Sequence, residues 1–374
     1  MAHSYTPGLR VTPFTKLQRR RILPLKGGVT VSVGQRVERA DIVARTDLPG
    51  DVASVNVVNR LGIDPSQIDQ FMLKKEGDAI RRDEIIAENR PFIKWFKTVV
   101  KSPIDGTIES ISSVTGQVLL RHPPRPVAVA AYVDGEVVEV IPEEGVVVET
   151  EGAFVQGIFG IGGEAWGPVK VVSASPGDVV KPGRITDDCA GCVLIVGAVA
   201  GIDLIRRAVE VKAAGIIAGG INADDLKNIL GFDLGVAITG TEEIGTSVIV
   251  TEGFGTIAIA NRTYDILTAC EGNVASINGA TQIRAGVQRP EFIVPAERPV
   301  IDIEGAAARE GGLQLGDPIR VIREPYFGKL GTVSALPSDL QTVESETKVR
   351  VLSVKFDDET EATVPRANVE SITR

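Results

Sequence analysis

The chain has 374 residues, with 40 Lys and Arg, 49 Asp and Glu, and a formal charge of −9. At roughly 100–200 residues per domain, this length predicts two to four domains. The 43% hydrophobic content excludes a disordered chain, and three Cys with two His exclude a disulfide scaffold. A cytoplasmic location is therefore expected. Membrane insertion is not, because every uncharged stretch is shorter than the about 20 residues of a spanning helix.

The N-terminal segment is basic, whereas the rest of the chain is acidic. Residues 1–26 contain six basic residues and no acid, so the remainder carries a net charge of −15. A basic arm over residues 1–21 can bind phosphate groups, dock on the acidic surface of its own chain, or remain a solvated tail. The nucleic-acid or partner candidates of this arm are Lys16, Arg19, Arg20 and Arg21.

A short pattern occurs twice in the next hundred residues. Gly34-Gln35-Arg36-Val37 is followed by Ile42-Val43-Ala44, and Gly77-Asp78-Ala79-Ile80 is followed at the same offsets by Ile85-Ile86-Ala87. Each copy predicts a glycine turn and two short strands, because Gly adopts the positive φ of such turns. Ser102-Pro103-Ile104-Asp105-Gly106 predicts a further turn before a strand at 107–111.

This order of turns and strands resembles the barrel-sandwich hybrid fold of biotinyl and lipoyl domains, and most closely the domain of RnfC, an electron-transport complex subunit. The resemblance covers residues 22–122, and Leu25-Lys26-Gly27-Gly28-Val29 ahead of the first copy fits it. The family's modified lysine lies in a Met-Lys-Met hairpin, which residues 89–97 lack although they contain Lys94 and Lys97. We therefore expect no covalent biotin or lipoate, and no cofactor is predicted. The cysteine runs of an iron–sulphur cluster are also missing from the sequence.

The same segment contains three aromatic residues within five positions. In a chain with 5% aromatic residues, this density predicts either packing against a neighbouring domain or an exposed tip that binds a partner. The partner candidates here are Phe92, Trp95 and Phe96.

Residues 123–300 are predicted to form a β-rich segment joined to an α/β domain. Short strands with glycine turns are predicted over 127–172, and a glycine-rich segment lies at 157–164. Such loops can bind phosphate through backbone N–H groups, but this one matches neither the dinucleotide fingerprint nor the P-loop. A turn or bulge is the alternative. The ligand candidates are Gly160, Gly162 and Gly163.

From residue 192 onward, strands alternate with helices. Apolar runs predict strands at 193–196, 215–218, 235–238, 247–250 and 274–277, and helical periodicity predicts helices at 203–213, 223–230 and 262–269. This alternation is typical of βαβ units and a mostly parallel sheet. Ligands of such sheets bind beyond the carboxyl ends of the strands, where we place the loops at 219–220, 240–243 and 251–255.

Residues 278–290 combine two arginines with threonine and glutamine among small residues. Arginine binds carboxylate or phosphate groups bidentately, so this segment predicts a site for a phosphorylated or carboxylated ligand. The alternative is a crossover loop whose arginines pair with acids of another domain. The ligand candidates are Thr281, Gln282, Arg284 and Arg289.

Catalytic and metal sites have little support in the sequence. Cys189 and Cys192 form a single C-x-x-C pair before a predicted strand, and the two histidines are His3 and His122. Structural zinc, a thioredoxin-like pair and a Ser-His-Asp or Cys-His set are therefore not expected, and no metal is predicted. The cysteines are interpreted as buried structural residues. The sequence leaves open whether the chain is an enzyme.

The last predicted domain covers residues 301–374. Strands around Gly328-Lys329-Leu330-Gly331 resemble the KOW motif of NusG-type transcription factors and KOW ribosomal proteins. The resemblance implies a small SH3-like barrel that contacts RNA or proteins. From residue 316 onward there are eight basic and ten acidic residues, so weak RNA affinity is expected of this barrel alone. The nucleic-acid or partner candidates on its turn are Tyr326, Phe327 and Lys329.

The sequence thus predicts a mixed β and α/β fold: a barrel-sandwich hybrid, a central β-rich and small parallel α/β domain, and a KOW barrel. The favoured function is a non-catalytic binding or scaffold protein with a protein partner, associated with the transcription or translation machinery; RNA, the ribosome or a polymerase are further partners to consider. The competing interpretation is an enzyme or sensor that binds a phosphorylated or carboxylated metabolite in the α/β domain.

Overall fold

The computed structural model describes residues 9–89, 97–230, 240, 242, 244–282, 288–301, 313, 315–323, 325–337, 340–342, 348–356 and 359–371. Strands form 46% and helices 15% of the structure, so the fold is strand-rich, and its sheets are mixed. This agrees with the abundance of valine and isoleucine, whose branched side chains favour strands.

Thirteen strands and two short helices occupy residues 11–156. They are β1 (Val11–Ile22), β2 (Gly28–Val29), β3 (Arg36–Val37), β4 (Ile42–Leu48), β5 (Val52–Asn56), α1 (Val57–Leu61), α2 (Ile68–Phe71), β6 (Ala79–Ile80), β7 (Ile85–Glu88), β8 (Val99–Lys101), β9 (Gly106–Ile111), β10 (Gln117–Arg121), β11 (Arg125–Ala130), β12 (Gly135–Ile141) and β13 (Gly145–Gln156). Helix α1 begins where the Asn56 side chain accepts the Asn59 N–H, and it ends at Gly62 with φ 65°.

The two copies of the sequence pattern fold alike, and each copy is closed by a later strand. The Gly34 N–H donates to Val137 O and the Gly77 N–H donates to Ile108 O, both at 2.8 Å. Correspondingly, β3 pairs with β12 and β6 pairs with β9, both antiparallel. The structure therefore contains an internal duplication. Each copy includes both the glycine turn seen in the sequence and the later strand that pairs with it, β12 in one copy and β9 in the other.

The aspartates before the closing strands repeat as well. Asp134 Oδ1 accepts the Arg39 N–H at 2.8 Å, and Asp105 Oδ1 accepts the Arg82 N–H at 3.0 Å. We call residues 28–48 together with 125–149 the outer repeat, and residues 50–122 the inner repeat.

The inner repeat is inserted into the outer repeat. Strands β4 and β11 pair antiparallel, with Leu48 opposite Arg125, and the inner repeat begins and ends between these two residues. The segments that enter and leave the inner repeat cross closely there, since a Cβ on Gly50 would lie 2.1 Å from His122 O. The 22–122 boundary drawn from the sequence is therefore crossed by strand pairs of the outer repeat, β3 with β12 and β4 with β11.

Each repeat has its own apolar core. The inner core is formed by residues such as Val55, Ile80 and Leu120, whereas the outer core joins Val37, Val43 and others to the adjoining sheet. Separate cores are what two independently packed units require.

The basic N-terminal segment forms a strand of the largest sheet. Strand β1 pairs antiparallel with β13, from Val11 opposite Val155 to Ile22 opposite Gly145, with a register shift between Thr12 and Thr15. Of the three uses that the charge pattern allowed for this arm, the structure shows residues 11–21 docked on their own chain.

The central region contributes the remaining strands of this sheet and three helices. They are β14 (Phe159–Ile161), β15 (Glu164–Val171), β16 (Val193–Ile195), α3 (Ile202–Glu210), β17 (Gly215–Ile221), α4 (Ala223–Leu230), β18 (Ser247–Phe254), α5 (Asn261–Ala269), β19 (Val274–Asn278) and β20 (Glu291–Pro295). The strand order is β14-β18-β17-β16-β15-β19-β20-β13-β12-β3, and β15 to β18 are mutually parallel.

The helices cover both faces of the parallel strands. Leu204 of α3 and Leu226 of α4 belong to one apolar cluster, whereas Ile266 of α5 belongs to the other. Successive strand residues alternate between these clusters, as Ile216 and Ile217 do, because side chains along a strand point to opposite faces. The result is a three-layer α/β arrangement continuous with the antiparallel strands.

The predicted elements of this region largely match the structure. Helix α4 has the predicted bounds, and α5 begins one residue earlier than predicted. Helix α3 ends at Glu210 instead of residue 213, because the chain turns at Lys212 with φ 60°. The strand predicted at 235–238 lies outside the described residues.

The C-terminal unit, residues 315–371, forms a separate six-stranded sheet around its own core. Its strands are β21 (Pro318–Val321), β22 (Leu330–Ala335), β23 (Leu340–Thr342), β24 (Lys348–Phe356), β25 (Glu361–Pro365) and β26 (Val369–Ser371). The order is β23-β24-β22-β21-β26, with β25 paired to β24, and all the pairs are antiparallel.

Candidate functional site

The glycine-rich segment that sequence reasoning offered as a phosphate loop forms an edge strand whose polar groups are occupied. Gly160 lies in β14, and its N–H donates to Thr281 Oγ1 at 2.8 Å. The Thr281 hydroxyl lies 3.2 Å from Gly160 O, with the geometry of a donor to that carbonyl. One buried threonine therefore accepts from the N–H of an edge residue and lies within donor distance of its carbonyl, which hinders pairing with another strand.

The next two glycines are also occupied. The Gly162 N–H donates to Glu242 Oε2 at 3.2 Å, and the carbonyl of Gly163 accepts from Ser247 Oγ. Because Glu242 is a carboxylate, it occupies the N–H that a phosphate would need. Gly160 thus lies in a strand, and Gly162 and Gly163 form the short connection between β14 and β15.

The carboxyl ends of the parallel strands are covered by the chain itself. A Cβ on Gly219 would lie 1.9 Å from Ile257 O, and one on Gly220 would lie 2.0 Å from Gly255 O. Only glycine permits these approaches, so residues 255–257 pack directly against the backbone of Gly219 and Gly220. The ligand crevice expected at this edge is therefore filled at that point.

The loop at 240–243 was expected beyond the carboxyl ends of the parallel strands, but Gly240 and Glu242 lie near their amino ends. Glu242 contacts Gly162, which adjoins Thr246 and Ser247 at the amino end of β18. The expectation placed it beyond a carboxyl end because it assumed a preceding strand at 235–238. Thr241 and Glu243 lie outside the described residues.

The third expected loop, at 251–255, holds the C-terminal unit. Glu252 is buried and accepts the Ala260 N–H at 3.0 Å and Arg320 Nη2 at 2.6 Å. Arg320 Nη1 donates to Thr251 O at 3.0 Å. Two residues further along, the Phe254 ring lies 5.9 Å from Phe327 in an edge-on arrangement. Residues 251–254 therefore belong to strand β18 and not to a loop, and this end of the strand is a docking element between two units of the same chain.

The candidates on the C-terminal turn take part in packing. Phe327 contacts Phe254, Tyr326 lies 5.2 Å from Phe356, and the Lys329 ammonium lies 5.1 Å over the Phe356 ring. These rings do not form an open stacking platform for bases, because each already packs against another aromatic ring.

A pocket at the junction of the two units collects candidates from both. It is open to solvent, and Arg289 and Arg323 line it from the α/β region and the C-terminal unit respectively. Its described lining residues are Ile158, Thr281, Gln288, Arg289, Ile322, Arg323 and Phe327. They include two arginines, one amide and one hydroxyl among apolar side chains, and no carboxylate, histidine or cysteine, and the accessible surface of the pocket is mainly apolar.

The neighbouring loop is closed at its base by a pair of backbone hydrogen bonds. Gln282 N–H donates to Gln288 O and Gln288 N–H donates to Gln282 O, both at 2.9 Å. This pairing places Gln288 and Arg289 at the pocket. Arg284 belongs to residues 283–287, which lie outside the described part of the chain. Phe92, Trp95 and Phe96 also lie outside it.

Three of the four basic candidates on β1 are paired with carboxylates. Lys16 contacts Glu149 at 2.7 Å, Arg19 contacts Glu291 through two bonds at 2.8 and 2.5 Å, and Arg21 contacts Glu164 through two bonds at 2.6 and 2.7 Å. The hydrogen bond from Lys16 lowers the pKa of Glu149.

Arg20 differs from these neighbours. It is exposed on β1, opposite Val147, and within the described part of the chain no carboxylate lies within ion-pair distance of it. Among the described residues it is the basic candidate of this strand that has no ion pair, whereas Lys16 is exposed but paired.

Aromatic rings of the largest sheet and of the outer repeat add further contacts to β1. The guanidinium groups of Arg19 and Arg21 lie 5.4 Å over Phe154 and 5.2 Å over Tyr132. Burial raises the pKa of Tyr132, so its phenol stays neutral beside these charges. The arginines therefore stabilise an internal interface.

Sequence reasoning missed Arg323, Glu252 and Arg320. For Arg320 a signal was present: it lies between Ile319 and Val321 in a short apolar strand, and a charge at a core position requires a partner. Its partner, 68 residues earlier, could not be identified from sequence.

Comparison with protein-family models and with curated proteins found no match for this chain. Among the described residues, no group of three or more Cys, His, Asp or Glu could hold a metal ion. Within the same residues, every helix is too short or too polar to cross a membrane.

Proposed function

We propose that the chain is a non-catalytic binding protein that holds a small carboxylated or phosphorylated ligand at the junction of its α/β region and C-terminal unit. The observation that carries this proposal is the shared pocket, to which the two units contribute Arg289 and Arg323. Two guanidinium groups provide the forked donors that such anions need. Ile158, Ile322 and Phe327 provide an apolar surface for the rest of the ligand.

Binding is favoured over catalysis by the chemistry of the lining. General acid–base or nucleophilic catalysis requires a carboxylate, histidine, cysteine or activated hydroxyl at the reacting atoms. The described lining offers one hydroxyl, that of Thr281, and this group is engaged with Gly160.

Thermal shift with a panel of phosphates and small carboxylates tests the site. A ligand should raise the melting temperature of the wild type, and Arg289→Gln and Arg323→Gln should each remove the shift. Arg350→Gln is the matched control, since Arg350 lies exposed on β24 of the same unit. Equal shifts in all four proteins would show that binding occurs elsewhere.

We further propose that the interaction modules meet a protein partner in the cytoplasm. The repeats are interpreted as barrel-sandwich hybrid units of the RnfC type and the C-terminal unit as a KOW-type SH3-like barrel. Association with transcription or translation machinery is the role that this resemblance supports. A protein is favoured over RNA because the basic residues of β1 and the aromatic residues of the turn are engaged within the chain.

Retention assays with a homogeneous RNA and with purified ribosomes or polymerase distinguish an RNA partner from a protein partner. Retention on a protein complex that persists after ribonuclease treatment supports the protein assignment. Binding that ribonuclease abolishes would contradict it.

A further inference from the structure

Cys189 and Cys192 lie at the two ends of a tight turn. The Cys192 N–H donates to Cys189 O at 3.1 Å, Ala190 has φ −58° and ψ 130°, and Gly191 has φ 70°. These angles define a type II turn, whose end Cα atoms lie within about 7 Å of each other. Disulfides form at Cα separations of about 4.4–6.8 Å, so the backbone is already suited to this bond.

The two side chains contact the same apolar cluster. Cys189 belongs to the apolar cluster beneath helices α3 and α4, and Cys192 packs against that same cluster. Burial raises the pKa of Cys192, and the neighbouring Cys189 adds to this rise.

The two thiols differ in access to solvent. Cys189 is fully buried, whereas Cys192 is partly exposed. The ammonium of Lys170, ion-paired with Asp188, acts electrostatically on both sulfurs and opposes part of the rise in the Cys192 pKa. Cys192 is therefore the sulfur that a small molecule meets first.

We propose that Cys189 and Cys192 form a reversible disulfide by exchange with a low-molecular-weight disulfide such as glutathione disulfide. The Cys192 thiol loses its proton to solvent, and its thiolate attacks one sulfur of that disulfide. A mixed disulfide forms and one thiolate leaves, which takes up a proton. Cys189 then loses its proton and attacks the Cys192 sulfur, releasing the second thiol. The protein dithiol is oxidised by two electrons, and one disulfide is reduced to two thiols.

Cys270 provides an internal control within the same chain. It lies in the cluster on the opposite face of the sheet, and burial raises its pKa to about 12. Since the thiolate is the reacting form, Cys270 should stay reduced in the folded protein.

The test is incubation of the folded chain in glutathione buffers of increasing oxidised fraction, followed by intact mass and peptide mapping. The wild type and Cys270→Ala should both lose two hydrogen atoms, and dithiothreitol should restore them. Cys189→Ser should retain one glutathione on Cys192, and Cys192→Ser should not react. Circular dichroism on each variant establishes that it is folded.

Three results would overturn the assignment. They are a wild type that keeps its full mass at the highest oxidised fraction, one that accumulates glutathione on Cys192 without releasing it, and one in which Cys270 reacts as fast as Cys192. The proposal does not depend on the junction pocket, so these outcomes leave the ligand proposal untouched.

Discussion

Arg320 and Glu252 form an ion pair, with Nη2 and Oε2 2.6 Å apart, between side chains that are 2% and 7% exposed. The pair joins β21 of the C-terminal unit to β18 of the parallel sheet. Taking two charges out of water is costly unless hydrogen bonds satisfy them, and here Thr251 O and the Ala260 N–H provide such bonds. The position of the C-terminal unit is therefore determined by a contact that tolerates little change on either side.

Removing one charge of this pair should release the C-terminal unit. Glu252→Gln leaves the Arg320 guanidinium buried and uncompensated, a loss of about 3–5 kcal/mol. We expect faster proteolysis between the units and a lower urea midpoint. Glu252→Leu combined with Arg320→Met should recover much of this stability, because apolar groups can replace a buried pair. Glu139→Gln, at an exposed position, is the control; an equal effect there would contradict the assignment.

Loss of the Thr281 hydroxyl should lower the free energy of unfolding. Thr281→Val keeps the shape of the side chain but leaves the Gly160 N–H without this acceptor. An unsatisfied buried donor costs about 1–3 kcal/mol. Urea unfolding should show this loss, whereas Thr107→Val, at an exposed strand position, should change stability by less than about 0.5 kcal/mol. Equal losses at both sites would remove Thr281 from its edge-blocking role.

The inner repeat should fold by itself. Residues 50–122 have a separate core and connect to the outer repeat at one crossing. We expect the isolated segment to show a cooperative thermal transition and dispersed amide resonances. As the complementary test, a chain in which Asn-Gly replaces residues 49–124 should keep the β4–β11 hairpin, because that turn suits antiparallel strands. An isolated segment without a transition would contradict this independence.

The basic strand should add little to nucleic-acid affinity. Lys16, Arg19 and Arg21 are paired with carboxylates, which leaves Arg20 as the cation of the group that has no ion pair within the described part of the chain. One phosphate contact contributes about 0.7–0.9 to the slope of log affinity against log salt. Arg20→Gln should lower the measured slope by no more than that, and Arg350→Gln provides the comparison. A slope near −3 that depends on β1 would show that its ion pairs open on binding.

Cys270 should make stability depend on pH in the alkaline range. Its folded pKa of about 12 lies above the ordinary value of 9.0, so the folded state holds the proton more tightly. The stabilisation is complete below pH 9 and is lost progressively between pH 9 and 12, by up to about 1.4 kcal/mol per pH unit. Urea unfolding at pH 8 and pH 10.5 should show a smaller decrease in Cys270→Ala than in the wild type. Parallel decreases would contradict burial of this thiol.

Sequence reasoning predicted the α/β elements well because their signals are local. The apolar periodicity of α4 and the apolar runs of β16 and β17 depend only on nearby residues. The partners of β1 and of Arg320 depend on residues more than sixty positions away, which no local period reveals. The basic segment was ambiguous for this reason, since strand β1 buries only Leu17 completely and alternates weakly.

The insertion of one repeat into the other was also hidden, although part of its signal was visible. Asp105-Gly106 and Gly116 recur as Asp134-Gly135 and Gly145, which are the closing halves of the two copies. Along the chain, both opening segments (34–44 and 77–87) come before both closing segments (105–116 and 134–145). This order alone does not show that one copy is inserted into the other. Only the strand pairing shows which closing half belongs to which copy.

This insertion changes the cost of closing the outer repeat. For an unstructured chain, bringing Leu48 to Arg125 would close a long loop, and the entropy lost grows with the logarithm of its length. Once the inner repeat has folded, its two ends are held together by the His122 N–H to Asp51 O bond at 2.9 Å. The long loop then behaves as a tight turn, so we expect the strands around the inner repeat to pair more readily once that repeat has folded.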